Sequence, residues 1–386
     1  MPIFWCGAIG FGYPGLLSTY WQELYGVTAG QTGLVVTIML LSVSIFTFFS
    51  GKYLNRFGMR RCLLTGMLLM LLAMVVLLAA SNIYMVYVWG FIVNLGTSFI
   101  YGPGLTTVQK AMPQRKGLAS GLLNLAFGLS AVIMTPVWEG ILNATGYFAL
   151  NVSLMLCILI TDGIAVILLG KTEPEEEAAC GQTPEDAGPA LTAAESVRTR
   201  SFWMIWLTWA FVGAAGISMV SLAGSYAGSL ALSGVAVLMA FNLTNGISRI
   251  IAGWLTDAIG GEQTAMIAFL IGAAGYILLP FAGGLPAICI LAACVGYGFG
   301  TMFAITGPVA AKHFGMKHFG SIFGLIFTAY GCVGGIIGPL LAGVIIGYAD
   351  SPYRIIFAYL AVFMILGTCF MVILKRRRLY EHPHAA

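Results

Sequence analysis

Long apolar runs, separated by short polar stretches, recur from one end of the chain to the other, and each is close to the ~20 residues a helix needs to cross a bilayer. Within them, polar residues do not return at every second position as they would in the strands of an outer-membrane barrel, so the pattern predicts helices. Twelve are expected. Six lie in the first half, at Ile3–Leu24, Gly33–Gly51, Cys62–Ala80, Tyr84–Val108, Leu118–Leu142 and Phe148–Leu169. The second half repeats the count at Phe202–Leu222, Leu232–Leu255, Ala265–Ala282, Pro286–Ala310, Ile322–Gly347 and Ile355–Leu374. Between the halves, Lys171 to Thr199 carries Glu173, Glu175, Glu176, Glu177, Glu185 and Asp186 among Pro, Gly and Ala, the composition of a solvated linker. The expected organisation is a six-helix bundle over 1–170, a linker over 171–199, a second six-helix bundle over 200–376 and a tail over 377–386.

Composition agrees with this pattern and charge orients it. With 59% hydrophobic and 8% charged residues over 386 positions, the chain falls far short of the roughly 25% charged residues of a soluble domain. It reads as an all-α, multi-pass protein of the cell membrane. Lys and Arg mark the cytoplasmic side. They gather in the second-to-third connection (Lys52, Arg56, Arg60, Arg61), the fourth-to-fifth (Lys110, Arg115, Lys116), the linker (Lys171, Arg198, Arg200), the tenth-to-eleventh (Lys312, Lys317) and the tail (Lys375 to Arg378). Arg354 alone falls on the other side and Arg249 alone falls inside a span, so both termini are expected to be cytoplasmic. The net charge of +4 follows from that topology, and basic residues spread over short loops predict no nucleic-acid partner. Met1 nearly abuts the first span, without a basic segment or an A-x-A site, which predicts no signal peptide and a trimmed amino terminus.

The halves are related by an internal repeat. Gly51 to Gly58 and Gly253 to Gly260 share the pattern G-x-x-x-[DN]-x-x-G, with Asn55 and Asp257 at the polar position. A second register pairs Gly104 with Gly307, Gly117 with Gly320, Gly121 with Gly324, Gly128 with Gly331 and Pro136 with Pro339. The repeat spans an even number of helices, so the halves run parallel, related by an axis along the membrane normal.

Within this apolar background Arg249 stands out. Asn242, Asn245 and Arg249 fall at i, i+3 and i+7 on one helical face, while Leu243, Ile247, Ile250 and Ile251 point elsewhere. A charge at membrane depth costs at least about 2.5 kcal/mol on insertion scales and marks a substrate or ion path. The alternative is snorkelling, because Gly253 and Asp257 place the cytoplasmic end two turns away.

The segment from Gly51 to Arg60, G-x-x-x-[DN]-x-x-G-x-R, resembles the loop signature of the major facilitator superfamily, and Gly253 to Gly260 resembles its echo after the eighth helix. Within that superfamily, RKGLASG at Arg115–Gly121, the Phe202–Trp203 pair and NGISRIIAGWLTDAIG in the eighth helix resemble the monocarboxylate transporters and the oxalate:formate antiporters. The resemblance covers essentially the whole chain. It implies the major facilitator fold, alternating access of two bundles around a central site, and a carboxylate-binding role for Arg249. A planar guanidinium can hold a carboxylate through two parallel hydrogen bonds. The resemblance also implies gating loops, made here by Gly51, Asn55, Gly58, Arg60, Gly253, Asp257 and Gly260.

Departures from the family refine the expectation. Aligned with the eleventh helix of the oxalate transporters, FGLIFTAYGCVGGIIG puts Tyr330 where they carry a lysine; one Arg and one phenol suit a monoanion. The position four before the arginine, an acid in animal monocarboxylate transporters, is Asn245, and Asn55 replaces the usual first-loop Asp. The expected substrate is therefore a small, lactate-like monocarboxylate. Proton symport and carboxylate exchange both remain open, as does an unrelated solute carried on the same fold.

Other candidates have a functional and a packing reading side by side. Tyr101 matches a pocket tyrosine of the oxalate transporters, though an aromatic packing role fits it equally. Tyr13, Phe299, Phe303 and Phe327 are candidates for an apolar pocket wall, with plain packing the commoner role for such aromatics. Asp162 and Glu139 are the remaining acids within spans and the candidate proton sites. His313, His318, His382 and His384 lie in a loop or the tail, so no metal, cofactor or catalytic constellation is expected and the chain does not read as an enzyme. The scattered cysteines form no C-x-x-C pair and predict no disulfide. Gly117, Gly121 and the glycines from Gly331 to Gly343 predict close packing inside a monomer. Pro103, Pro136, Pro308 and Pro339 predict bends. The partners expected are a monocarboxylate, a proton and the lipid bilayer.

Overall fold

The structure, a computed structural model, describes residues 2–169, 191–348 and 351–381. Lys171, the acidic run from Glu173 to Asp186 and the tail residues His382 and His384 lie outside the described residues. The first helical rod comprises α1 (Pro2–Gly7), a π-helical segment (Ala8–Gly12) and α2 (Tyr13–Tyr25). It is followed by α3 (Ala29–Leu78), α4 (Ile83–Ala111), α5 (Lys116–Leu168) and the short α6 (Ala193–Val197). Then come α7 (Arg200–Ser229), α8 (Gly234–Ile259), α9 (Gly261–Leu278) and α10 (Leu285–Phe314). A rod of α11 (Phe319–Thr328), a second π-helical segment (Ala329–Gly334) and α12 (Gly335–Tyr348) precedes α13 (Pro352–Glu381). The described residues contain no strand, and nine of their helices are long and apolar enough to cross a membrane.

Three of the long helices begin at a side-chain acceptor. Thr28 and Gln31 form a capping box at α3, Thr199 accepts from the Phe202 amide at α7, and Ser233 accepts from the Ala236 amide at α8. The stretch expected to be a solvated linker up to Thr199 instead contains α6, started by the Thr192–Glu195 capping box. Two expected connections are shorter than the sequence suggests. α3 covers the second and third predicted spans and breaks only at Gly58 (φ 76°, ψ 169°); α5 covers the fifth and sixth and breaks only at Gly146 (φ 84°, ψ 175°). At these angles a side chain would clash, so a single glycine turns the chain with helix continuing on both sides. The repeat motif is thus helical up to its last glycine in both halves, because Gly260 (φ 91°) likewise ends α8. The helices continue through Pro103, Pro136, Pro308 and Pro339.

The chain divides into two compact units. One comprises Met1–Ala111, Ala126–Ala190 and Met316–Leu325, and the other Met112–Leu125, Leu191–Gly315 and Ile326–Ala386. The start of α5 therefore belongs with α7 to α10, although it comes from the first half of the sequence.

In the first unit, Tyr13, Trp21, Trp89 and Trp138 are fully buried against one another, with ring centroids 5.2 to 5.7 Å apart. Gly51 meets Gly320 so closely that a Cβ on Gly51 would collide with the Gly320 backbone. In the second unit, Gly117 meets Gly253 with the same lack of room, so the repeat-related glycines make repeat-related contacts. Leu68, Ile164, Met239, Leu243, Leu270 and Ile290 are exposed along the helices, a surface suited to lipid rather than water.

Candidate functional site

The site forms in the second unit, where α8, α10 and the start of α5 meet. On α8 the faces separate cleanly. Val237, Phe241, Ser248, Arg249, Ala252 and Gly253 are buried, whereas Val235, Met239, Leu243, Ile247, Ile251 and Trp254 are exposed. Arg249 is only 4% exposed, which rules out a guanidinium snorkelling to open solvent in this conformation.

Three elements hold that guanidinium. Its Nη1 donates to the backbone oxygen of Asn124 on α5 at 2.7 Å, and its Nη2 donates to Asn245 Oδ1, one turn back on α8, at 3.2 Å. Its Cζ lies 4.6 Å from the ring centroid of Phe303 on α10, a cation–π arrangement. Asn124 ties the group together, since its Nδ2 donates to the Ser120 oxygen at 2.8 Å and to the Phe303 oxygen at 3.2 Å.

Glycines make this convergence possible. A Cβ on Gly121 would collide with the Arg249 backbone oxygen, and one on Gly300 would collide with the Asn245 oxygen and the Ser248 hydroxyl. The backbones of α5 and α10 therefore approach α8 at a distance only glycine permits, which brings the Asn124 oxygen and the Phe303 ring within reach of one side chain.

An aromatic group adjoins the site. Tyr330, in the second π-helical segment, packs against Phe303 (5.4 Å), Phe327 (5.5 Å), Trp209 (5.7 Å) and Phe299 (6.4 Å). Trp209 Nε1 donates to Thr306 Oγ1 at 2.6 Å, which fixes the indole at the back of this group. Beyond it, toward the end of α8, Asp257 accepts the Gly117 amide on Oδ1 and the Leu118 amide on Oδ2, both at 2.8 Å. The carboxylate thus caps the N-terminus of α5, where orphan amides and the helix dipole favour a negative charge. Glu262, at the start of α9, is buried against Lys312 (3.1 Å) and His313 (3.2 Å). Both bases fall beyond the tenth predicted span, yet α10 runs on to Phe314 and includes them.

The other predicted residues lie elsewhere. Tyr101 is buried in the first unit beside Phe127 (5.3 Å) and Phe323 (6.3 Å). Tyr13 belongs to the tryptophan-rich core of that unit and donates to Asn151 Oδ1 at 2.5 Å. Asp162, on α5, is fully buried, with Thr161 Oγ1 3.3 Å from its Oδ1; among the described residues its Oδ2 has no hydrogen-bond partner. Glu139 and Asn55 are exposed, Arg60 is half-buried, and Gly51 and Gly58 are buried. The structure therefore brings together Arg249, Asn245, Phe303, Phe299, Phe327 and Tyr330. It adds Asn124 and Trp209, which carry no motif in the sequence. The Gly117 and Gly121 spacing signalled a close helix contact there, but an acceptor that is a backbone oxygen leaves no trace in the sequence.

Fold and site together define a polytopic α-helical membrane protein with a cation enclosed in its helical packing. The chain belongs to the Major Facilitator Superfamily, whose model matches residues 1–243 and 221–385, and is a transporter of that superfamily. The resemblance drawn from its motifs holds, because its relatives include both expected groups. It is 25% identical over 305 residues to the oxalate:formate antiporter of Oxalobacter formigenes, covering 76% of this chain and 71% of that protein. It is 23% identical over 374 residues to human monocarboxylate transporter 2, covering 87% of this chain and 77% of that one. Among solved structures, the Escherichia coli fucose:proton symporter superposes with a TM-score of 0.72 at 17% identity, covering 97% of each chain, which establishes the fold.

Proposed function

We propose that this chain is a secondary active transporter of small, lactate-like monocarboxylates, working as a proton symporter by alternating access in the cytoplasmic membrane. The observation that carries this reading is Arg249, a buried guanidinium whose two terminal nitrogens rest on neutral oxygens. A carboxylate can displace both and accept the two N–H groups as a bidentate ion pair, adding attraction between opposite charges to the hydrogen bonds. Asn245 and Tyr330 lie around the same group and would orient the substrate's second polar end, while Phe299, Phe303 and Phe327 would face its short alkyl part. Tyr101, a second candidate phenol, and Tyr13, a further candidate wall residue, both belong to the first unit.

The breaks at Gly58 and Gly146 support a reading of twelve spans, in six-helix bundles over 1–170 and 200–376 joined by the linker 171–199, with the tail 377–386. The distribution of Lys and Arg supports cytoplasmic termini. The Gly51–Gly320 and Gly117–Gly253 contacts, with the Asp257 cap, support a gating role for Gly51, Asn55, Gly58, Arg60, Gly253, Asp257 and Gly260. Asp162, buried and with no hydrogen-bond partner for its Oδ2 among the described residues, is the first assignment for the proton and Glu139 the second. The carrier is read as a monomer. Exchange of one carboxylate for another is the second reading, favoured by the antiporter among its relatives.

Competition tests the substrate class. Uptake of labelled lactate should be inhibited by acetate and pyruvate but weakly by oxalate, and Tyr330→Lys should raise the inhibition by oxalate. A wild-type carrier that prefers oxalate would overturn the monoanion reading.

A further inference from the structure

We propose that Asn124 is the positioning residue for Arg249: it holds the guanidinium on its backbone oxygen in the empty carrier and yields it to the arriving carboxylate. This rests on the reading of Arg249 as the carboxylate-binding residue. Asn124 meets the guanidinium from a different helix than Asn245 does, and it accepts at 2.7 Å, the shorter of the two contacts. Its own amide is committed to two carbonyls, Ser120 on its own helix and Phe303 on α10. One side chain thereby fixes the oxygen that receives Nη1 and the residue whose ring lies under the cation. Gly121, three positions earlier, sets the distance, because any Cβ there would push α5 off the Arg249 backbone.

Asn124 comes from the first half of the sequence and Arg249 from the second, yet both belong to one compact unit. A substrate carboxylate that takes over the guanidinium removes the Nη1 contact in the act of binding, so occupation of the site frees Arg249 from Asn124.

Two measurements test the assignment. In proteoliposomes, Asn124→Ala should raise the KM for labelled lactate about tenfold, with Vmax per folded carrier within about twofold of wild type, the split expected when positioning for binding is lost. Asn124→Asp, equal in size to the native side chain, should raise KM more than Asn124→Ala. Its introduced carboxylate faces two carbonyl oxygens, turns away from them and competes for the guanidinium. A purely structural asparagine predicts the opposite rank, with the isosteric variant nearer to wild type, and that order would overturn the proposal. Melting temperatures without ligand supply the second measurement. Asn124→Ala and Arg249→Gln should each lower the melting temperature, and together by clearly less than the sum, because both disrupt one contact group. Additive losses would overturn it. If wild type takes up no lactate, the monocarboxylate reading fails and the melting cycle alone decides whether Asn124 positions Arg249.

Discussion

Arg249 shows how much of this site a sequence can disclose and where disclosure stops. Its spacing from Asn245 places the two on one helical face, and the 3.2 Å hydrogen bond between them is the i, i+4 contact that helical geometry allows. The exposed Leu243, Ile247 and Ile251 follow from the same periodicity. What the sequence could not disclose is the third dimension: that the partner for Nη1 is a carbonyl of residue 124, and that Phe303 rather than Tyr330 lies under the cation. Arg249→Lys keeps the charge but loses the planar fork that reaches two acceptors at once. Lactate uptake at equal surface expression should fall by about tenfold or more, and Arg249→Gln should abolish it. Unchanged uptake by Arg249→Gln would show that the side chain is there for packing alone.

At the scale of elements, the helices are legible in the sequence because their apolar runs are long. The turns are less so. A run of charged residues after Gly51 reads as a loop, yet α3 continues to Gly58 and one glycine makes the turn. The meeting of helices rests on glycines that look alike in sequence and differ in surroundings. A Cβ at Gly300 collides with the Asn245 oxygen and the Ser248 hydroxyl, whereas one at Gly140 meets nothing within 4 Å. Gly300→Ala should therefore destabilise by about 1–3 kcal/mol through overpacking. Gly140→Ala should be neutral, or stabilising by up to about 1 kcal/mol, through helix propensity. Melting temperatures of the two variants in one detergent check this; equal losses at both positions would mean that α10 does not depend on a close approach to α8.

For the whole molecule, the internal repeat was readable by counting, and its structural meaning appears in the paired contacts Gly51–Gly320 and Gly117–Gly253. The repeat is also broken where function is read. Arg249 falls opposite Thr47 in the first register, so the cation has no counterpart in the first half. A single cation suits a single carboxylate, and a proton carried with each monoanion keeps the loaded and the empty carrier at the same charge, avoiding the cost of moving a net charge through the membrane. The central claim is tested most directly by purified protein in liposomes with an inward proton gradient and no internal carboxylate. Labelled lactate should accumulate above its external concentration and should leak out when a protonophore is added. Accumulation that requires a preloaded carboxylate and ignores the protonophore would replace symport by exchange, and uptake no greater than in protein-free liposomes would contradict monocarboxylate transport altogether.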